Sequence, residues 1–102
     1  MNYSFHPDAK LELFEALIYY EKCSAGLGLE FSEEIYSSIQ QILRFPIAWS
    51  PTSKNTRRCL AKRFPYGIIY AINEDDIFIL AIMHLNRKPN YWHKRLKKRT
   101  TL

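Results

Sequence analysis

At 102 residues, with 47% apolar and 25% charged side chains, the chain is long enough for one domain around a single hydrophobic core. Its longest apolar run, Ile77 to Met83, is far short of the roughly 20 residues that span a bilayer; Met1-Asn2-Tyr3-Ser4 begins no signal peptide, and Cys23 and Cys59 fit no CxxC or zinc spacing. These features exclude a membrane-spanning helix and a disulfide framework, and isolated thiols point to the reducing cytoplasm.

Charge is unevenly spread. The net +5 divides into −4 over residues 1–53, where three Lys and Arg face seven Asp and Glu, and +9 over residues 54–102, where twelve face three. After Asp76 no acidic side chain follows. That asymmetry points to an anionic partner for the second half, either nucleic acid or an acidic protein segment; the alternative is a solvated basic surface that keeps a small domain soluble.

The predicted elements begin with a short strand over residues 2–6, in which Tyr3 and Phe5 share a face. Pro7 opens a helix, with Asp8 and Glu12 in its first turns, where negative charge suits the helix dipole. The spacing predicts a helix from Pro7 to Ser24. Ala9, Leu13, Ala16, Leu17 and Tyr20 form its buried stripe, which Phe14 and Ile18 would widen. Gly26-Leu27-Gly28 breaks that helix, and a second runs from Leu29 to Arg44 with Phe31, Ile35, Ile39 and Ile42 inward. So short a link makes an αα-hairpin, whose apolar faces need a sheet.

Residues 45–56 read as a loop, with two prolines and a cluster of Ser, Thr and Asn, anchored by Trp49. Three strands follow. Arg57 to Phe64 is basic and ends at Pro65; Tyr66 to Asn73 and Ile77 to Met83 are apolar on both faces and flank the turn Asn73-Glu74-Asp75-Asp76. After Pro89, Asn90 to Lys98 suits a short helix, with Tyr91, Trp92 and Leu96 apolar and Lys94, Arg95, Lys97, Lys98 and Arg99 basic. The order is β-α-α-β-β-β with a short C-terminal helix: a single α+β domain over residues 1–102, its helical hairpin packed on a small antiparallel sheet.

The chain has no Gly-rich phosphate loop, and His6, His84 and His93 are too dispersed for a helical metal motif, so neither cofactor nor metal is expected. Chemistry concentrates at the end of the last strand, in His84, Arg87, Tyr91, Trp92, His93, Lys94 and Arg95, with Arg57, Arg58, Lys62 and Arg63 on the adjoining sheet. RNA cleavage needs an acid or base, which His84 could supply, and a cation for phosphate, which Arg87 could supply; Tyr91 or Trp92 could stack a base. Each residue also has a structural reading. His84 can be a strand-end histidine bonded to backbone, Arg87 an ion-pair partner of the acidic helices, and Tyr91 with Trp92 a lid on the sheet.

The residues also carry a family resemblance. Phe5-His6-Pro7-Asp8-Ala9, Tyr19-Tyr20-Glu21 and Gly26-Leu27-Gly28-Leu29-Glu30-Phe31 are followed by Arg58, Leu60 and the run Arg63-Phe64-Pro65-Tyr66-Gly67-Ile68-Ile69-Tyr70. The last stretch is Ile79 to Trp92. Across nearly its whole length the chain resembles the RelE/ParE superfamily of toxins from type II toxin–antitoxin modules, whose members include plasmid-stabilisation proteins. The resemblance implies a compact growth inhibitor, wrapped and silenced by a cognate antitoxin in a hetero-oligomer. RelE-like members are ribosome-dependent mRNA endonucleases; ParE-like members poison DNA gyrase.

For a nuclease, the resemblance assigns cleavage to Arg87, Tyr91 and Lys62, and the residue chemistry adds His84. Arg57, Arg58, Arg63, Trp92, Lys94 and Arg95 are then candidates for contact with target or antitoxin. Gly67 stands where the nuclease pattern has an arginine, so the chain reads closer to the ParE-like side, acting by protein–protein inhibition with gyrase the implied target. The alternatives are a RelE-like mRNA endonuclease and a degenerate, non-toxic homologue retained as a binding module.

Overall fold

The computed structural model describes residues 1–100, with side chains through residue 96; the expected contributions of Lys97, Lys98 and Arg99 to the basic tail lie outside the described side chains. The elements are β1 (Asn2–Phe5), α1 (Pro7–Cys23), α2 (Leu27–Arg44), β2 (Ser50–Ser53), β3 (Thr56–Leu60), β4 (Tyr66–Asn73), β5 (Asp76–His84) and α3 (His93–Thr100). The fold is α+β, with five strands in the order β1-β5-β4-β3-β2.

Besides β3 ending at Leu60 rather than reaching Phe64, two features of the sheet depart from the sequence reading. Residues 50–53, expected in a loop, form the edge strand β2. Pro51 has no N–H to give, which an outermost strand tolerates, and hydroxyl contacts of Thr56 with Thr52 and Ser53 tie its turn. The second departure is that β1 pairs with β5 in parallel, while the other pairs are antiparallel. A parallel pair needs a long connection, and here both helices and three strands lie between its members.

Helix α1 starts where His6, extended in backbone, accepts the Asp8 N–H on Nδ1 at 3.0 Å, with Pro7 in the first turn. Ala9 and Ala16 are buried, and Leu13, Leu17 and Tyr20 pack on the core. Phe14 and Ile18 do not widen this stripe; they stand 50% and 52% exposed. Four residues apart, they share a helix face with Leu11 that points away from Ala9, Ala16 and Tyr20.

The link to α2 depends on two glycines. Gly26 has φ 89°, a conformation that side chains disfavour, and a Cβ on Gly28 would stand 2.7 Å from the Leu17 carbonyl. The Glu21 carboxylate accepts both of their N–H groups. Helix α2 then turns Phe31, Ile35, Ile39 and Ile42 inward.

One face of the sheet, bearing Cys59, Ile68, Tyr70, Ile77, Ile79 and Ile82, packs on the hairpin. The other, bearing Ile69, Ala71, Phe78, Leu80, Ala81 and Met83, is closed by Trp92 with Tyr91 and Leu96 beside it. The two central strands are buried on both sides, as their apolar sequences predict. Among the described residues no helix is long and apolar enough to cross a membrane.

Candidate functional site at the end of strand β5

The site begins with a defect in strand pairing. Ile69 pairs with Ala81 and Tyr70 with Ile79, which leaves Leu80 as an extra residue in β5. On the other side of β5, pairing with β1 covers only Asp76 to Ile79, and the His6 N–H closes it on the Ile79 carbonyl at 2.8 Å. Beyond that point the backbone polar groups of β5 need other partners. The Leu80 carbonyl accepts from Arg95 Nη1 at 2.8 Å, and the Ile82 N–H donates to Glu12 Oε1 at 3.0 Å. Side chains from α1 and α3 thus continue the work of β1.

Glu12 gathers the rest. Besides Ile82, its carboxylate accepts from Tyr91 Oη at 2.7 Å, from Arg95 Nη1 and Nη2 at 3.0 Å each, and from Arg87 Nη1 at 3.3 Å. Its side chain is 11% exposed and that of Arg95 13%. A carboxylate so far from water is costly to bury unless paired and hydrogen-bonded, and five donors meet that demand. The guanidinium carbon of Arg87 lies 3.7 Å from the Tyr91 ring centroid and that of Arg95 5.1 Å, so the ring is flanked by two cations.

These contacts set the protonation states. Burial first, and then the hydrogen bond and charge of Glu12, hold the Tyr91 hydroxyl protonated well above the ordinary tyrosine range, despite the opposing pull of Arg95 and Arg87. For Arg95, burial works against the charge, but the hydrogen bonds and attraction of Glu12 outweigh it, and its pKa rises. Tyr91 is therefore a fixed donor and Arg95 a fixed cation.

Glu12, Glu15, Tyr19, Tyr66, His84 and Arg87 line a cleft of ≈ 190 Å³ between α1 and β5. His84 Nδ1 accepts the Asn86 N–H at 3.0 Å, which leaves Nε2 as the protonated nitrogen of the neutral ring. The ring meets Tyr66 edge-on at 5.1 Å. Arg87 is half-exposed, its side chain at 52%. The strand-end histidine bonded to backbone and the arginine paired with an acidic helix both match the structural alternatives read from sequence.

The remaining candidates are dispersed. Arg57 donates to the Ile47 and Trp49 carbonyls and clamps the loop before β2. Lys62 borders a groove of ≈ 370 Å³ between α2 and β3, with Glu30, Glu34, Trp49 and Cys59. Arg63 pairs with Glu30 at 2.7 Å, and its N–H donates to Glu34. Burial pushes the Cys59 thiol up to about 11 although Lys62 pulls the other way, and both cysteines are free. Lys94 is exposed. Trp92 is 2% exposed and stacked on His93 at 4.7 Å, so its ring faces are occupied by the protein itself.

Arg58 stands on the face closed by Trp92. A Cβ on Gly67 would come within 3.2 Å of Arg58 Cγ and Cδ, so the missing side chain of Gly67 is the space in which the Arg58 chain lies. That arginine borders a recess of ≈ 200 Å³ with Thr52, Ile69, Met83, Pro89, Asn90 and Trp92. Gly67 removes a cation from β4, and β3 supplies one beside the same position.

The residue that sequence reasoning passed over is Glu12, taken only as a helix-dipole charge. A signal was present. Glu12 lies three residues after Ala9 and four before Ala16, within the buried stripe, where a carboxylate requires cationic partners. Among the described residues no group of three His, Cys, Asp or Glu side chains is placed to hold a metal.

Comparison with known proteins places this geometry. The family described as ParE toxin of type II toxin-antitoxin system, parDE, matches residues 3–89. A solved structure, the chromosomal ParDE TA system from P. aeruginosa, superposes with a TM-score of 0.71 at 15% identity, covering 84% of this chain and 97% of that one. At that identity the likeness is one of fold. No curated protein matches. The family match takes in Glu12 and Arg87 and ends before Tyr91 and Arg95.

Proposed function

The chain belongs to the ParE toxin family of type II toxin–antitoxin systems, and from that premise we propose that it arrests growth by binding and inhibiting a protein target, DNA gyrase, and that a cognate antitoxin silences it. The observation that carries inhibition over RNA cleavage is the separation of Lys62 from the other three residues a nuclease would use. Lys62 borders the groove beside α2, whereas His84 and Arg87 border the cleft between α1 and β5. The Tyr91 hydroxyl is committed to Glu12 and kept protonated, which suits neither a base nor an exchanging acid at neutral pH.

An antitoxin has surface to cover. Leu11, Phe14 and Ile18 stand between 50% and 55% exposed along the outer face of α1. The net charge of +9 in residues 54–102 suits an acidic segment, so one partner chain could bury apolar area and neutralise charge together. The contact residues for target or antitoxin are Arg58, Arg87 and Lys94, with Arg57 and Arg63 supporting their own loops and Arg95 and Trp92 enclosed.

The test is supercoiling by purified gyrase with the purified chain added. Loss of supercoiling, or trapped cleaved DNA, is expected, with Arg87→Ala weakening the effect roughly tenfold, equivalent to about 1.4 kcal/mol of interaction. Normal supercoiling at saturating, folded protein sinks the gyrase reading. Transcripts cut at codon positions on induction would replace it with ribosome-dependent cleavage, and induction without antitoxin that leaves growth unchanged would show a non-toxic homologue.

A further inference from the structure

We propose that Glu12 is the positioning residue of the basic end of this toxin: one buried carboxylate on α1 sets where the Arg87 guanidinium stands and fastens residues 86–96 to β5. As a statement about toxicity this rests on the toxin reading above; as a statement about the tail it stands on geometry alone.

The argument begins with what holds Arg87. Its guanidinium makes two contacts, one with Glu12 Oε2 and one with the face of the Tyr91 ring. The Tyr91 ring is itself fixed through its hydroxyl on the same Glu12 oxygen. Both restraints on a half-exposed cation therefore run through a single carboxylate. Arg95, from the following helix, closes on that carboxylate with two nitrogens and reaches the Leu80 carbonyl from the same position. The segment is also anchored by Trp92, with Tyr91 and Leu96 beside it, on the sheet face away from the hairpin.

Glu12 also does a second job, taking the Ile82 N–H past the end of β1. The two jobs can be separated. In Glu12→Gln the amide oxygen in the place of Oε1 still accepts from Ile82 and Arg95 Nη1, while the amide nitrogen in the place of Oε2 faces the donors of Arg87 and Arg95 Nη2 and meets Tyr91 only as a donor to its hydroxyl. The substitution keeps the strand capped and removes the negative charge and the two Oε2 ion-pair contacts by which Glu12 holds Arg87 and the second nitrogen of Arg95.

The experiment is Glu12→Gln in the full chain, read in three ways. Trypsin cleavage after Arg87, Lys94 and Arg95, followed by mass spectrometry, is expected to accelerate roughly tenfold, while amide exchange in β4 and β5 stays slow. Tyr91 ionisation, isolated by difference titration against Tyr91→Phe, is expected to move down toward the ordinary tyrosine range. Growth arrest is expected to fall to the level of Arg87→Ala, with the double variant no weaker than either single one. Tail cleavage unchanged from wild type overturns the proposal, and so does a released tail with full growth arrest. If the wild-type chain arrests no growth, the toxin reading fails, and the cleavage and titration still decide whether Glu12 fastens the tail. Should Glu12→Gln not fold, Tyr91→Phe with Arg95→Met removes the Tyr91 and Arg95 bonds to Glu12 from the other side and is judged by cleavage after Arg87 and Lys94 and by growth.

Discussion

The two faces of the sheet are closed by different means. Toward the hairpin, thirteen buried residues of the described chain, twelve from two long helices and three strands and Phe64 from the β3–β4 link, interlock around Phe31, Ile35, Ile68 and Tyr70, and no single contact governs the face. Toward the tail the buried set among the described residues is seven, with Trp92 as its one member from outside the sheet. The tail then depends on a carboxylate from α1 for its polar anchorage. A face closed by distributed apolar packing resists local opening, whereas one closed by a short basic segment on a few charged bonds can open without unfolding the rest. Of the surface proposed to meet partners, Arg87 and Lys94 lie on the second, separable part.

Substitutions can break or sharpen this contrast. The largest expected effects come from truncating each face at its centre. Trp92→Ala should cost about 3–5 kcal/mol and Ile79→Ala about 2–5 kcal/mol in chemical denaturation, both side chains being fully buried. The contrast lies in where amides become exposed: Trp92→Ala should raise exchange first in residues 90–96, and Ile79→Ala throughout the sheet and hairpin. Uniform loss of protection in both would show that the faces open as one unit.

A smaller effect is expected in alkali. Tyr91 is raised in the folded chain above its unfolded value, so between the two values the unfolded chain binds fewer protons. Its contribution is present in full below about pH 10 and is lost as pH climbs through the folded value. Wild type should therefore lose more stability above about pH 10 than Tyr91→Phe, measured as the pH dependence of the denaturation midpoint. Equal alkaline slopes would mean that the Glu12–Tyr91 bond does not persist in solution. Cys59, pushed up to about 11, and Tyr70, pushed up to about 12 chiefly by burial, titrate alike in both proteins and cancel in the comparison.

Least of all should Arg87→Ala disturb the fold. Its side chain is half-exposed and its ion pair lies at the rim, so a stability change under about 1 kcal/mol is expected beside the loss of toxicity. A cost as large as that of Ile79→Ala would make Arg87 part of the scaffold.

Short-range pattern in the sequence determined much of this protein. Helical spacing located α1 and α2 within three residues of their ends, the Gly26-Leu27-Gly28 link marked the hairpin, and doubly apolar runs marked β4 and β5 as central strands. The α+β class and the ParE toxin family both followed from residues in order along the chain. Only the tertiary structure decided that Phe14 and Ile18 face outward, that Pro51 sits in an edge strand, that Arg58 fills the space left by Gly67, and that Trp92 is enclosed. Above all it decided the role of Glu12, whose bonds to Ile82 and Arg95 join residues 70 and 83 positions apart. The physical reason is common to all of these. Periodicity reports which way a side chain leaves its own helix or strand, whereas a buried charge is explained by whatever the fold brings to it from elsewhere in the chain.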